Sequence, residues 1–219
     1  MESQPKVAHR LQVVRDTRRT NATVAYLGDD QSFLRALRDG DPAATAALFD
    51  AHQASVLTVL ARIMGVDAEL CDLLQDVFVR ALRGVHTVKD GRVLQPWLRQ
   101  IAICTAMDCL RRRRRRRWLR FVAPEELEQP AVAPANSEAR QALHRVYQIL
   151  DEFPAEERVA FTLRIMAGME LTEVAAAAKC SLATIKRRLN RADQRFATAA
   201  RSDAVLSQWL EEGNRWEAQ

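Results

Sequence analysis

Glycine is scarce in this chain, at seven of 219 residues, and stretches that alternate polar with apolar side chains are nearly absent. A sheet protein needs that alternation to bury one face of each strand, and glycine to make its tight turns. Apolar residues instead make up 48% of the sequence and recur at helical spacing, with abundant Ala, Leu and Arg, so an all-α fold is predicted. The four cysteines, Cys71, Cys104, Cys109 and Cys180, form no CxxC pair and have no histidine at zinc-ligand spacing. That argues against a metal site or a disulfide framework and for small core residues in a reducing compartment. The four histidines are as scattered, and no acid–base or nucleophile constellation can be assembled. No catalytic residue, metal or cofactor is therefore expected, and the chain is not expected to be an enzyme. No segment approaches the roughly 18 apolar residues of a membrane span, and the first residues show no signal-peptide pattern, so the expected location is the cytoplasm.

Positive charge is present but uneven. A formal net charge of +5 is mild for the whole chain, and what matters is where it clusters. From Leu171 to Phe196 the sequence reads as two short helices joined by a tight turn at Lys179-Cys180-Ser181. Thr172 is suited to cap the first helix, with Val174, Ala175 and Ala178 as a small-residue face; Ser181 is suited to cap the second. At about 100° per residue Leu182, Ile185, Leu189, Ala192 and Phe196 share one stripe, and Thr184, Arg187, Arg188, Arg191 and Arg195 lie opposite with Lys186 on the flank. A packed helix with an arginine face suits a DNA major groove: Thr184, Lys186, Arg187 and Arg188 are placed to reach base edges, Arg191 and Arg195 to hold phosphates. The alternative is an ordinary solvated face of a helical bundle.

Residues 1–30 are polar and basic and read as a mobile arm. Asp41-Pro42 opens a helix whose core positions are Ala47, Leu48, Ala51, Val56, Leu60 and Met64, up to Gly65. A helix from Asp67 to about Arg83 follows. It turns Leu70, Leu74, Val77, Phe78 and Ala81 to one side and Asp72, Gln75, Asp76, Val79 and Arg83 to the other. That second face suits either solvent or a protein partner. Gly84 to Pro96 reads as a loop, and Trp97 to Arg117 as a long helix with Trp97, Leu98, Ile101, Ala102, Thr105 and Leu110 inward. Trp97 fits a core anchor or a base-stacking platform.

Arg111 to Arg117 is an unbroken arginine run. Seven residues turn through about 700°, so these side chains point in every direction and cannot all be paired internally. They suit contact with a DNA backbone, or a solubilising helix end. Residues 118–137 carry three prolines with Glu125, Glu126 and Glu128 and read as a flexible acidic linker. Fully extended it would span at most about 66 to 72 Å. Beyond it, Asn136 or Ser137 caps a helix that buries Leu143, Val146, Ile149 or Leu150, and Phe153. Pro154 stands as a first helical residue, and a helix from Ala155 to Ala167 turns Val159, Leu163 and Met166 inward before Gly168. The predicted organisation is a basic arm (1–30), a first helical domain (31–117), the linker (118–137), a second, helix-turn-helix domain (138–200) and a tail (201–219) in which Leu206, Trp209, Leu210 and Trp216 could form an amphipathic turn.

Three stretches, LCDLLQDVFVRAL (70–82), PWLRQIAICTAMDCLRRRRR (96–115) and FPAEERVAFTLRIMAGMELTEVAAAAKCSLATIKRRLNRAD (153–193), resemble in order the two conserved domains of bacterial extracytoplasmic-function sigma factors. The resemblance implies a transcription initiation factor that binds core RNA polymerase, directs it to promoters and helps open them. It implies that Asp72, Gln75, Asp76 and Val79 dock on the clamp helices of the large catalytic subunit, with a further contact to the flap of the other large subunit. Lys89, Arg92, Trp97, Arg99, Gln100, Arg111, Arg112 and Arg115 would hold the minus-ten element, and the helix-turn-helix residues Thr184, Lys186, Arg187, Arg188, Arg191 and Arg195 the minus-thirty-five element. A cognate anti-sigma factor is implied, with no direct membrane contact. Three positions depart from the pattern: Lys179 replaces the turn glycine, Ala183 stands where Gly is frequent, and Arg187 where Ser is common. The alternative function is an autonomous helix-turn-helix repressor or activator. Such a regulator would bind duplex DNA alone, usually as a dimer on a palindrome.

Overall fold

The computed structural model describes residues 30–65, 67–119 and 137–207, and among these every regular element is helical. The predicted arm, most of the linker and the tryptophans of the tail lie outside the described residues. Four helices build the first domain: α1 (Asp30–Arg38), α2 (Pro42–Met64), α3 (Leu70–Gly84) and α4 (Leu94–Leu119). The second has α5 (Ser137–Asp151), α6 (Ala155–Phe161) continuing into a π-type turn (Thr162–Met166), α7 (Leu171–Ala177) and α8 (Leu182–Ser202).

Asp41 starts α2 by accepting the Ala43 N–H at 2.8 Å, with Pro42 in the first helical position, where a missing N–H costs nothing. Gly65 ends it at φ +84°. Leu48, Val56, Leu60, Ile63 and Met64 are buried along one stripe against α3 and α4, whereas Ala51, expected inside, is exposed. Each such large apolar side chain contributes about 1.5 to 3 kcal/mol of burial. The buried side of α3 is Leu73, Val77, Phe78 and Ala81; Leu70 and Leu74, expected at the centre, are half-buried at its edge. This helix starts at Leu70 rather than Asp67, whose carboxylate instead accepts the Glu69 N–H at 2.8 Å.

Two further differences arise in the first domain. Gly84 to Pro96 is more ordered than a loop: it holds one-turn 3-10 segments at Val85–Thr87 and Gly91–Val93, and α4 begins at Leu94 with Pro96 in its first turn. Helix α1 has no counterpart in the predicted elements. It buries Phe33, Leu34 and Leu37 and holds the 3-10 connection from outside. Arg38 donates to the Val88 carbonyl, and Gln31 Nε2 donates to the Lys89 carbonyl at 3.3 Å. Gly91 is required for this approach, because a Cβ there would lie 2.8 Å from the Asp30 carbonyl oxygen.

In the second domain Pro154 is the N-cap of α6 rather than its first residue. Leu150 and Phe153 are buried as expected, whereas Leu143, also expected inside, is exposed and Ala142 and Phe161 are buried. From the tail, Leu206 packs against Ala142 and Ala200. The two domains are not held apart. One buried apolar cluster runs without a break from Leu34, Leu60 and Leu98 through Val159 and Leu163 to Val174, Ile185 and Leu189, so α6 and the helix-turn-helix pack directly on α2 and α4.

Candidate nucleic-acid interface

The turn between α7 and α8 is built by local hydrogen bonds. Glu170, not Thr172, caps α7: its carboxylate and that of Glu173 reciprocally accept backbone N–H groups, Glu173 taking that of Glu170 at 2.9 Å. An acidic cap suits the positive end of a helix as well as a hydroxyl does. The chain then reverses at Lys179, which has φ +50° and is the sole non-glycine with positive φ among the described residues. Ser181 caps α8 as expected, its Oγ accepting the Thr184 N–H at 3.2 Å.

A side chain with a Cβ is strained in the left-handed region, whereas glycine is not. Lys179→Gly is therefore expected to raise stability by about 0.5 to 1 kcal/mol, the relief of strain outweighing the extra freedom of the unfolded chain. A thermal melt followed by circular dichroism checks this, and a lowered midpoint would contradict it.

Ile185, Leu189 and Ala192 anchor α8; Phe196 is half-buried, and Leu182, expected in the stripe, is 38% exposed at the open end of the helix. Of the opposite face, Lys186, Arg187 and Arg191 are exposed, with a terminal nitrogen of Arg187 donating to Thr184 Oγ1 at 3.5 Å. The remaining candidates are partly engaged. Thr184 Oγ1 lies 2.9 Å from Ser181 Oγ, and Arg188 is half-buried with a terminal nitrogen 3.5 Å from Cys180 Sγ. Arg195 Nε lies 3.1 Å from Glu157 Oε2, an ion pair without hydrogen-bond alignment, since that buried oxygen finds no aligned donor. The side chains most available to a base edge are thus Lys186, Arg187 and Arg191.

The basic end of α4 is divided. Arg113 pairs with Asp67, one nitrogen 2.8 Å from Oδ1, and with Glu69 at 3.1 Å. Burial raises the Asp67 carboxyl, but the hydrogen bonds from Arg113 and the Glu69 N–H outweigh this and hold it below its ordinary range. Arg111 pairs with Glu156 of α6 at 2.7 Å, and Arg117 with Glu152 at 2.9 Å. At Glu156 burial again opposes and the Arg111 hydrogen bond prevails, so its carboxyl is lowered too. Arg112, Arg114, Arg115 and Arg116 are exposed.

The other minus-ten candidates lie around the N-terminal half of α4. Lys89 and Arg92 are exposed on the 3-10 connection, Arg92 paired with Asp90 at 2.9 Å. Trp97 is half-buried and packs against the core beside Gly84, where an added Cβ would meet its ring at 3.3 Å. Gln100 Nε2 donates to the Ala176 carbonyl of α7 at 3.3 Å. Arg99 lines a groove of about 350 Å³ with Val59, Arg62, Leu163 and Met169, between the two domains. On the far side of the first domain, Asp72, Gln75, Asp76 and Val79 form an exposed strip along α3, Val79 at 44%. A single exposed apolar side chain beside two carboxylates suits solvent as well as a partner.

Comparison with known proteins bears on both domains. Residues 48–116 match the family described as Sigma-70 region 2, and residues 143–195 the family described as Sigma-70, region 4. The RNA polymerase sigma-H factor of Pseudomonas aeruginosa is 28% identical over 172 residues, covering 74% of this chain and 89% of that protein. The ECF RNA polymerase sigma-E factor of Escherichia coli K12 is 26% identical over 175 residues, covering 74% and 90%. Two solved structures share the fold. CnrH, in complex with the cytosolic domain of CnrY, has TM-score 0.53 and 23% identity and covers 80% of this chain and 99% of that chain. The sigma factor RpoE of Bartonella quintana, in complex with the anti-sigma factor NepR, has TM-score 0.52 and 22% identity and covers 71% and 95%.

Proposed function

Because the chain belongs to the extracytoplasmic-function branch of the sigma-70 family, we propose that its two domains divide promoter recognition between them and that α3 holds the polymerase. The protein is a sigma factor for transcription initiation. In the proposed division, the α3 strip of Asp72, Gln75, Asp76 and Val79 docks on the clamp helices of core polymerase, and the second domain also meets the flap. Lys89, Arg92, Trp97, Arg99, Gln100, Arg112 and Arg115, with Arg111 once it leaves Glu156, hold the opened minus-ten strand. Lys186, Arg187 and Arg191 read the minus-thirty-five element in the major groove, flanked by Thr184, Arg188 and Arg195. Polymerase and promoter set the place of action as the cytoplasm, and an anti-sigma factor restrains the protein there. No helix among the described residues is long and apolar enough to cross a membrane.

The observation that carries this reading is the pair of exposed faces on successive matched domains, acidic on α3 and basic on α8. A base-reading helix that works within a holoenzyme need not bind duplex DNA tightly alone, in contrast to an autonomous regulator. Transcription of a genomic promoter library by core polymerase with and without the purified protein tests the proposal. Discrete new start sites sharing two upstream motifs are expected, and their absence would refute it. With Arg187→Ala the same library is expected to lose preference at one upstream position, by about 1 to 3 kcal/mol for a bidentate contact to guanine. A uniform loss over all sequences would make Arg187 a phosphate contact instead.

A further inference from the structure

Helix α6 carries three charged residues in succession, Glu156, Glu157 and Arg158, and a helix turns successive side chains about 100° apart. They part accordingly. Glu156 pairs with Arg111 of α4 at 2.7 Å, and Arg158 reaches the C-terminal end of α2, donating to the Ile63 and Met64 carbonyls, both at 2.8 Å. Of the three, Glu157 is the one that turns to α8, where its Oε2 lies 3.1 Å from Arg195 Nε.

A buried carboxylate is costly unless its oxygens are met. Glu157 is 6% exposed, and its Oε2 receives no aligned hydrogen bond among the described residues, so the Arg195 guanidinium is the charge set against it. Most buried side-chain oxygens are hydrogen-bonded, and an exception needs a reason. Arg195 supplies one. A guanidinium holds its N–H donors in a planar fork, with one on Nε and two on each terminal nitrogen. The Nε edge faces Glu157, whereas the terminal nitrogens bond no described residue and the side chain is 57% exposed. Arg195 also stands one turn beyond the exposed Arg191, on the same face of α8, because residues four apart are neighbours on a helix. A free arginine loses rotamer entropy when it is fixed on a phosphate, and one already held along its inner edge loses less.

We infer that Glu157 is a positioning residue for promoter binding: from α6 it holds the inner edge of the Arg195 guanidinium and turns the two terminal nitrogens outward to a backbone phosphate beside the minus-thirty-five element. The inference rests on the proposed seating of α8 in the upstream major groove. It runs against the expectation from charge alone, in which a carboxylate close to a phosphate-binding site weakens DNA binding by repulsion.

The test uses the full chain assembled with core polymerase, and a labelled promoter duplex taken from a start site mapped with the wild-type holoenzyme. Fluorescence anisotropy reads binding over a series of salt concentrations for wild type, Glu157→Gln, Arg195→Ala and the double variant. Glu157→Gln is expected to weaken binding about fivefold, and to change nothing further once Arg195 is alanine, a coupling that makes the two residues one unit. In either single variant the slope of log affinity against log salt is expected to fall in magnitude by up to about 1, the mark of one lost phosphate contact. Tighter binding by Glu157→Gln would show that the carboxylate only repels, and an equal loss in both backgrounds would show that it serves the fold alone; either overturns the positioning role. Should Glu157→Gln lose its circular dichroism signal, Arg195→Lys decides. Lysine has a single charged head that cannot serve Glu157 and a phosphate together, so it is expected to bind as weakly as Arg195→Ala, and binding as tight as wild type would overturn the inference. A wild-type holoenzyme that selects start sites without this coupling removes the positioning role alone. Failure to select any start site would instead refute the sigma-factor reading beneath it.

Discussion

Reversing Asp72 and Asp76 to arginine is expected to weaken association with core RNA polymerase by about 2 kcal/mol or more, roughly 30-fold, because like charges brought together at an interface cost several kcal/mol. Both carboxylates are exposed on α3, whose opposite side, with Leu73, Val77, Phe78 and Ala81, holds the helix in place. The fold loses little by the change: Asp76 is a surface position whose substitution alters stability by no more than about 0.5 kcal/mol, and Asp72, in the first turn of α3, gives up a favourable charge at the helix's positive end worth about 0.3 to 1 kcal/mol. Titration of labelled core polymerase, beside a thermal melt of each protein, separates the two quantities. Unaltered polymerase affinity would remove this strip from the interface, and a lowered melting temperature would show that the carboxylates serve the fold.

A change at Ile185 is expected to do the reverse. Its side chain is fully buried beneath α8, and Ile185→Ala is expected to destabilise the protein by about 2 to 5 kcal/mol through lost burial and the cavity left behind. Against a typical total of about 5 to 15 kcal/mol that is a large fraction. Because Ile185 belongs to the cluster that continues into α2 and α4, the loss should lower the denaturant midpoint of the whole protein rather than of the second domain alone. Urea unfolding followed by circular dichroism reads this. A two-step transition in the variant, with an unshifted first-domain step, would show that the domains unfold independently.

Much of the site was legible because its signals are local. Ser181 at the head of an amphipathic stretch is a cap wherever the rest of the chain goes, and Ile185, Leu189 and Ala192 could only face inward together. The division of α3 followed from the same periodicity. Lys179 stood out as a residue in a glycine's place, and the positive φ there bears that out. Sequence and structure part where two local solutions compete. Glu170 and Thr172 are both competent caps, and the reciprocal bond with Glu173 decides for Glu170. Helix α1 is not legible in the sequence because nine residues offer only Phe33, Leu34 and Leu37 as a stripe, too short a sample of the period. Its purpose, holding Val88 and Lys89, lies some 50 residues ahead of it.

The sequence by itself determined the helices, the faces they present and the order of the two domains, since a helix is decided by residues three and four apart. Only the tertiary structure decided how the domains meet and which arginines are spoken for. Nothing around Arg158 distinguishes it from any charged residue on a surface helix, yet it is buried against carbonyls 94 and 95 positions earlier. Within the arginine run, Arg111, Arg113 and Arg117 are claimed by carboxylates brought to them from Glu156, Asp67 and Glu152. A contact of that span depends on how whole helices pack, through shape, desolvation and charge at once, and none of these is written in the spacing of neighbouring residues.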